Sequence, residues 1–508
     1  MSSILTNNSA MVALQTLKSI NQNLSQTQNE ISTGKRVASA KDNAAVWAIS
    51  KVMESDVKGF KGISDSLSLG ESTVAVARNA SETVTDLLTE IKGKVVAAQE
   101  ENVDRSKIQT DIAALRDQIS SVVGAAQFNG LNLVKGTADV NILSSLDRAS
   151  DGTVTASNIT VARQDLTTGQ GTFGTGASLA ANGTASAAAV ANTANTAILD
   201  VGGGGGTWTT GDVLNVTVAG VDLTYTIGAG EDEDDATAAL AGQINALGLT
   251  GISASDNGAG ALTISSTRAF EGVAISTSET NANGDSLLIT TLNGTSGLSL
   301  TSGTVDERAE NVAFSTSAAV NEGDSYKVTV GSSSYDYIAG KGETMEDVAR
   351  GLKIAIDAGG NADLSTTVTK DATSGQWSLK VDNDGSSVSF SLSGNAGGTA
   401  SGGLFGLASI DVTTNAGADS ALDNIETLIS NSIDAAAEFG SSQGRIQIQN
   451  DFIGKLSDSL KTGIGAMVDA DMEAASARLQ ALQVQQQLGT QALSIANQAP
   501  QSILSLFR

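Results

Sequence analysis

The sequence predicts a multi-domain protein, mainly α at its ends and β-rich in the middle. Both termini should join in a long antiparallel, coiled-coil-like helical bundle, with β-rich α+β outer domains inserted between them. Three observations predict this. Apolar residues recur every three and four positions near both ends, the middle breaks into short alternating strands, and charge divides the same way. Residues 1–135 hold 14 Lys+Arg against 14 Asp+Glu, 418–508 hold 5 against 10, and 136–417 hold 10 against 31, so most of the net charge of −26 is central. Near-neutral ends with an acidic middle read as packed termini carrying a solvated outer segment. At 508 residues several folded units are needed.

The first helical stretch carries Leu14, Leu17, Leu24 and Ile31, and Gly34 with Ser39–Asp42 supplies turn and cap signals before the next. From Val46 to Ala98, alternate steps of three and four residues meet 16 positions, of which 13 are apolar. This narrow seam needs a partner helix, and Ile108, Ile112, Leu115, Ile119 and Val122 begin a third. From Leu422 to Met467 the same stepping gives 10 apolar positions of 14. The expected intrasubunit bundle therefore sets Ile49, Phe60, Ile63, Leu67, Leu88 and Ile91 against Leu422, Ile425, Ile429, Phe439, Ile446, Ile453 and Leu460. A last helix carries Met472, Ala475, Leu479, Leu482 and Leu493, and Pro500, the single proline, should stop it before Leu504, Leu506 and Phe507.

The middle is rich in Gly, Ser, Thr, Ala and Asn. It holds strands such as Leu214–Val218 and Lys327–Val330, and hairpin-turn signals at Asn293-Gly294 and Asp384-Gly385. An internal repeat lays the segment from Gly211 over that from Gly323 at an offset of 112 residues, pairing Val218 with Val330, Tyr225 with Tyr337, Glu231 with Glu343, Leu240 with Leu352 and Ile244 with Ile356. Each copy reads as a hairpin, a short helix and further strands. Ala177–Ala197 and the glycine run Gly202–Gly206 read as a connector. These signals divide the chain into 1–40, 41–165 with a β-hairpin, a linker over 166–206, outer domains over 207–310 and 311–417, then 418–468 and 469–508.

Composition excludes much chemistry. With no His and no Cys there is no imidazole base, thiol nucleophile, disulfide or ordinary zinc ligand set, and no enzyme, cofactor or metal site is expected. The run Glu231–Asp235 lacks EF-hand spacing and reads as a solvated helix start, and Asp382–Gly385 as a hairpin turn rather than a calcium loop. Acidity argues against nucleic acid as a partner. The first twenty residues lack a charged stretch followed by an apolar core, and no window is apolar enough to span a membrane, so neither Sec-type export nor membrane integration is expected.

The ends resemble the bacterial flagellin family, of α-proteobacterial type. The residues that carry the resemblance are Ile4–Asn7, ISTGKRVASAKDNAA from Ile31 to Ala45, Gln127–Gly130, Asp469–Asp471, Gln480–Gly489 and the close ANQAPQSILSLFR from Ala496. The resemblance covers roughly 1–165 and 418–508, and the middle repeat is similar to insertion modules of flagellins and hook-associated proteins. It implies a structural subunit that polymerises into the extracellular flagellar filament for swimming. Its partners would be other copies of itself, the type III flagellar export apparatus, an export chaperone, the filament cap and hook-associated proteins. A chain without cysteine and with one proline suits passage unfolded and rapid refolding. The filament interface would be Leu14, Leu17, Leu24, Ile31, Leu479, Leu482, Leu493, Leu504 and Phe507, on segments that order when neighbours bury them. Flagellins sensed by the animal Toll-like flagellin receptor typically carry Gln-Arg-x-Arg-Glu-Leu on the second helix. Here Thr89, Glu90, Ile91, Lys92, Gly93 and Lys94 stand there, an acid for an arginine and a lysine for a leucine, which implies poor recognition. The rival readings are a hook-associated junction protein, with similar ends, and a coiled-coil adhesin whose middle repeat is the binding module.

Overall fold

The computed structural model describes residues 7–149, 153–202, 208–281 and 284–506, the side chains of 499–506 excepted. Three helices open the chain, α1 (Asn8–Thr33), α2 (Ala44–Ala97) and α3 (Arg105–Ala125), followed by β1 (Gln127–Phe128), β2 (Leu131–Asn132), β3 (Val140–Arg148) and β4 (Val154–Val161). The middle runs β5 (Gly183–Ala185), β6 (Ala189–Val190), β7 (Asn195–Val201), β8 (Val213–Val218), β9 (Val221–Thr226), α4 (Glu233–Ala246), β10 (Ile252–Asp256), β11 (Ala261–Ser266), β12 (Val273–Thr280), β13 (Leu287–Leu292), β14 (Thr295–Leu300) and β15 (Ser302–Val305). It continues β16 (Glu310–Phe314), β17 (Ser325–Val330), β18 (Ser333–Ile338), α5 (Met345–Ala358), β19 (Leu364–Lys370), β20 (Trp377–Asn383) and β21 (Val388–Asn395) before α6 (Asn415–Val468) and α7 (Met472–Leu506).

Helix starts follow side-chain chemistry. Asn7, Asn43, Asp104 and Asp471 each accept a backbone N–H of the first turn that follows, and α4 and α5 begin with capping boxes, Asp232 with Asp235 and Thr344 with Asp347. The acidic run is thus a helix start. Gly34 closes α1 in the left-handed conformation that a side chain would strain.

The chain divides into two compact units, 1–74 with 140–161 and 440–508, and 75–139 with 162–439. In the first, α2 lies antiparallel to α6, with the Ser64 hydroxyl donating to Asn450 at 2.8 Å and Gln447 to Glu71 at 2.6 Å. The β3–β4 hairpin packs here too. Ile142 fills the space left by Gly70, Gln449 donates to the Ser144 carbonyl at 2.9 Å, and Arg148 pairs with Asp56 at 2.6 Å. In the second unit, α2 is linked to α3 by Lys94 with Asp111 and to α6 by Lys92 with Glu426. Polar seam residues satisfy one another there, Thr85 donating to Ser432 and Ser432 to the Ser81 carbonyl, which fixes register in an otherwise apolar contact.

The seam read from the sequence is the buried face of α2. Ile63, Leu67, Val74, Val84, Leu88, Ile91, Val95 and Ala98 are fully buried, and Phe60 nearly so. On α6, Ile425, Phe439, Ile446 and Ile453 are buried, while Leu422, Ile429 and Leu460 are half-buried. Ile49 is a correction. It is 53% exposed, because at this end of α2 the inward positions are Ser50 and Met53.

The two repeats fold alike as modules, each around its own core. Module 1 has sheets β10-β11-β7-β13-β14 and β15-β12-β8-β9 with α4 against them; module 2 has β19-β20-β16-β5 and β18-β17-β21-β6 with α5. The equivalence reaches single hydrogen bonds. Tyr225 donates to Glu231 and Tyr337 to Glu343, while Asn245 holds Ala254 where Asp357 holds Thr366. All the pairings are antiparallel, and Asn293-Gly294 turns β13 into β14 with both residues at positive φ.

Three expectations fail. The connector expected over 166–206 contributes strands to both modules: β5 and β6 complete the sheets of module 2, and β7 is the middle strand of the five-stranded sheet of module 1, with Ala197, Leu199 and Val201 buried. Gly203–Gly206 lie outside the described residues. Asp384-Gly385 is no hairpin turn, because β20 and β21 belong to different sheets; Asp382 is instead buried beneath Arg308. Pro500 does not end α7, which continues to Leu506. The carbonyl that loses its helical donor to Pro500 is that of Ala496, and it takes another donor.

Candidate assembly surface

Helices α1 and α7 pair antiparallel. Asn7 Nδ2 donates to the Ala496 carbonyl at 2.8 Å, Gln486 donates to Asn21 at 2.7 Å, and at the far end Arg36 N–H donates to the Val468 carbonyl at 2.7 Å and Ala470 N–H to that of Gly34 at 3.0 Å. Motifs from opposite ends of the chain thus meet in a short backbone clamp. The helices touch along complementary seams of alternate threes and fours, Ala10, Ala13, Leu17, Ile20, Leu24, Thr27, Ile31 on α1 and Ala475, Leu479, Leu482, Gln486, Gly489, Leu493, Ala496 on α7, all at least half-buried. Gly489 leaves room for the Leu17 side chain, whose Cδ1 would stand 3.2 Å from a Cβ there.

This geometry sorts the residues singled out in the sequence. Leu17, Leu24, Ile31, Leu479, Leu482 and Leu493 lie in the seam between α1 and α7, with Leu482 at 7% exposure the most buried. Leu14 stands one position off that seam and is 56% exposed. The side chain of Leu504 and all of Phe507 lie outside the described residues. Sequence reasoning missed the second stripe. Met11, Val12, Val484, Leu488 and Ile495 are 55–69% exposed, each a large apolar side chain on a helix face that the described residues leave largely open. The signal was present in Val484, Leu488 and Ile495, spaced four and seven apart. Burying the exposed half of one such side chain is worth about 1 kcal/mol, so a row of them is a strong contact surface.

The segment aligned with the receptor pattern lies on α2. Thr89, Glu90 and Gly93 are exposed, Ile91 is wholly buried, Lys92 pairs with Glu426 and Lys94 Nζ reaches Asp111 at 2.7 Å. Ile91 is thus a core residue. Among the described residues no helix is long and apolar enough to cross a membrane, and no three acidic side chains converge as a metal site requires.

The bacterial flagellin N-terminal helical region matches residues 4–139 and the C-terminal helical region matches 422–507. Flagellin A of Rhizobium meliloti is 32% identical over 516 residues, the whole of both chains, and flagellin B of the same organism 32% over 513, again the whole of both. The flagellar hook associated protein-3 of Legionella pneumophila, at 9% identity over 82% of this chain and 98% of that one, has a TM-score of only 0.32, too loose to superpose the two. With both helical regions matched in order and the similarity running from end to end, the chain belongs to the bacterial flagellin family, on its α-proteobacterial branch.

Proposed function

We propose that this chain, a structural subunit of the flagellar filament that serves swimming, polymerises through the apolar stripe left open on α1 and α7. The observation that carries the proposal is the exposure of Met11, Val12, Leu14, Val484, Leu488 and Ile495 together on one helix pair. The inward seam, with Leu17, Leu24, Ile31, Leu479, Leu482 and Leu493, builds the pair; the outward stripe meets its copies in neighbouring subunits. Leu504 and Phe507, whose side chains lie outside the described residues, join this interface on the sequence alone. In the free subunit this two-helix pair has little core, so it gains order as neighbours cover it.

Replacing Leu488 and Ile495 by Asp tests this. Seeded polymerisation of the full chain should stop, while the melting of the α2–α6 bundle stays unchanged. Filaments formed at the unaltered critical concentration would refute the assignment.

The working partners are then other copies, the flagellar export apparatus with its chaperone, the filament cap and the hook-associated proteins, and the site of action is outside the cell. The role is structural rather than catalytic. Poor recognition by the Toll-like flagellin receptor follows from Glu90 and Lys94, with Lys92 and Lys94 already paired to acids. Receptor-reporter cells responding to this protein as strongly as to one carrying Gln-Arg-x-Arg-Glu-Leu would refute that part.

A further inference from the structure

We propose that Asn7 and Pro500 are a matched pair that fixes the register of α1 against α7: the proline frees one backbone carbonyl, and the asparagine amide from the other end of the chain fills it. In an α-helix the carbonyl of residue 496 accepts from the N–H of residue 500. Proline has no N–H, so that carbonyl is left without its helical donor. Helix α7 nevertheless runs on to Leu506, and Asn7 Nδ2 donates to the Ala496 oxygen at 2.8 Å. The other end of the same amide, Oδ1, accepts from Ala10 N–H at 3.0 Å and starts α1. One side chain thus caps one helix and mends the other.

The job suits an amide. It offers a donor and an acceptor at once, whereas a carboxylate would set negative charge against the Ala496 carbonyl and a serine hydroxyl is too short to cap α1 and also cross to α7. Register needs such a device because the apolar seams repeat. Sliding α1 by seven residues would still bring leucines and alanines to the seam, whereas no second proline on α7 frees a carbonyl to receive the amide. A slip of one residue would rotate Asn7 by about 100° and end the bond as well.

The inference rests on the reading of α1 and α7 as the assembling pair, and the test keeps the two apart. Asn7→Ser retains a good cap and removes the bridge. In the full-length chain, seeded with its own filament fragments, N7S should raise the critical concentration about tenfold, the equivalent of about 1.4 kcal/mol. Pro500→Ala restores the N–H of residue 500 and so gives the Ala496 carbonyl back its helical donor, and N7S/P500A should therefore recover the part of the N7S loss that comes from the unsatisfied carbonyl. Amide exchange over α1 and α7, measured on whichever species the chain forms, should follow the same pattern: faster in N7S, restored in the double variant. Wild-type protein that never polymerised would defeat the assembly reading, with exchange still deciding the pair. An N7S effect that P500A leaves unchanged, or no N7S effect at all, would overturn the proposal.

Discussion

Two glycines of α2 should respond oppositely to one added methyl group. At Gly70 a Cβ would fall 2.5, 2.7 and 3.0 Å from Ile142 Cδ1, Cγ2 and Cγ1, the last two fixed to the branched Cβ, so the hairpin itself must move. At Gly93 nothing lies within 4 Å. Overpacking costs about 1–3 kcal/mol, against roughly 1 kcal/mol gained in helix propensity, so Gly70→Ala lowers the midpoint of thermal unfolding and Gly93→Ala raises it. The repeat supplies a second comparison, between carboxyls. Glu231 is exposed, and the hydrogen bond from Tyr225 holds it below the usual carboxylate range; burial pushes its counterpart Glu343 up to about 7. Glu343 lines a cavity of about 150 Å³ with Asp165, Glu322, Asp347 and Asp434, while the cations facing it are Arg163 and Lys341, the latter held by Asp139 at 2.6 Å. The folded chain therefore keeps a proton that the unfolded chain loses from about pH 4.5 upward. Stability should fall as pH rises from there to about 7 and not return above it. Glu343→Gln should flatten that slope in pH-dependent melting, and Glu231→Gln should leave it; equal slopes in wild type and E343Q would contradict the assignment.

At the scale of elements, module 1 is nested inside module 2 rather than following it. β5 and β6 precede module 1, β16 follows it, and all three complete module 2. The two crossings are tied together: Arg308 donates to Asn192 at 2.7 Å and Asn195 to the Glu307 carbonyl at 2.9 Å, while the buried Arg308 guanidinium grips Asp382. Excising 194–306 should therefore leave module 2 folded, with protease resistance and melting close to those of the intact module. Excising 207–310 should not, since it removes Arg308 and leaves Ala197, Leu199 and Val201 of β7 without the sheet that buries them. The long helices were legible because a 3–4 step spells one face, and Phe60 through Ala98 fall on it. The nesting was not. Periodicity marks a strand but not its neighbour, and β5 and β6, at 3 and 2 residues, are too short to show any period. The alternation of Ala197, Leu199 and Val201 was there to read, beside an Ala- and Thr-rich tract that resembles a linker. At the candidate surface the inward leucines were found, but Leu14 was grouped with them, because Leu14, Leu17, Leu24 and Ile31 fit a stripe almost as well as Ala13, Leu17, Ile20 and Leu24 do. A seam of small residues gives a weaker signal than leucine.

For the whole molecule the modules matter through charge. Between Thr172 and Thr399, which exchange two backbone hydrogen bonds of 3.0 Å at the neck of the nested pair, lie 8 Lys+Arg against 26 Asp+Glu, or −18 of the total −26. A deletion of 173–398 closed by a short turn spares the segment to which α3 is fastened, where Arg116 donates to the Ala408 carbonyl at 2.6 Å and Gln109 to that of Ile410 at 2.9 Å. It also spares both seams of the α1–α7 pair, so the shortened chain should still polymerise, into thinner filaments. Those filaments should differ in how they treat one another. Like charge repeated along a polymer keeps neighbours apart over about a Debye length, roughly 30 Å at 0.01 M salt and 3 Å at 1 M. Wild-type filaments should stay dispersed at low salt and gather side by side only as salt is raised, whereas filaments of the shortened chain, left with 21 Lys+Arg against 29 Asp+Glu, should bundle already at low salt. Turbidity and low-speed pelleting across a salt series measure this directly. Shortened filaments that stayed dispersed at 0.01 M would show that the acidity of the modules does not set filament spacing, and would point instead to the charges remaining on α2, α3 and α6.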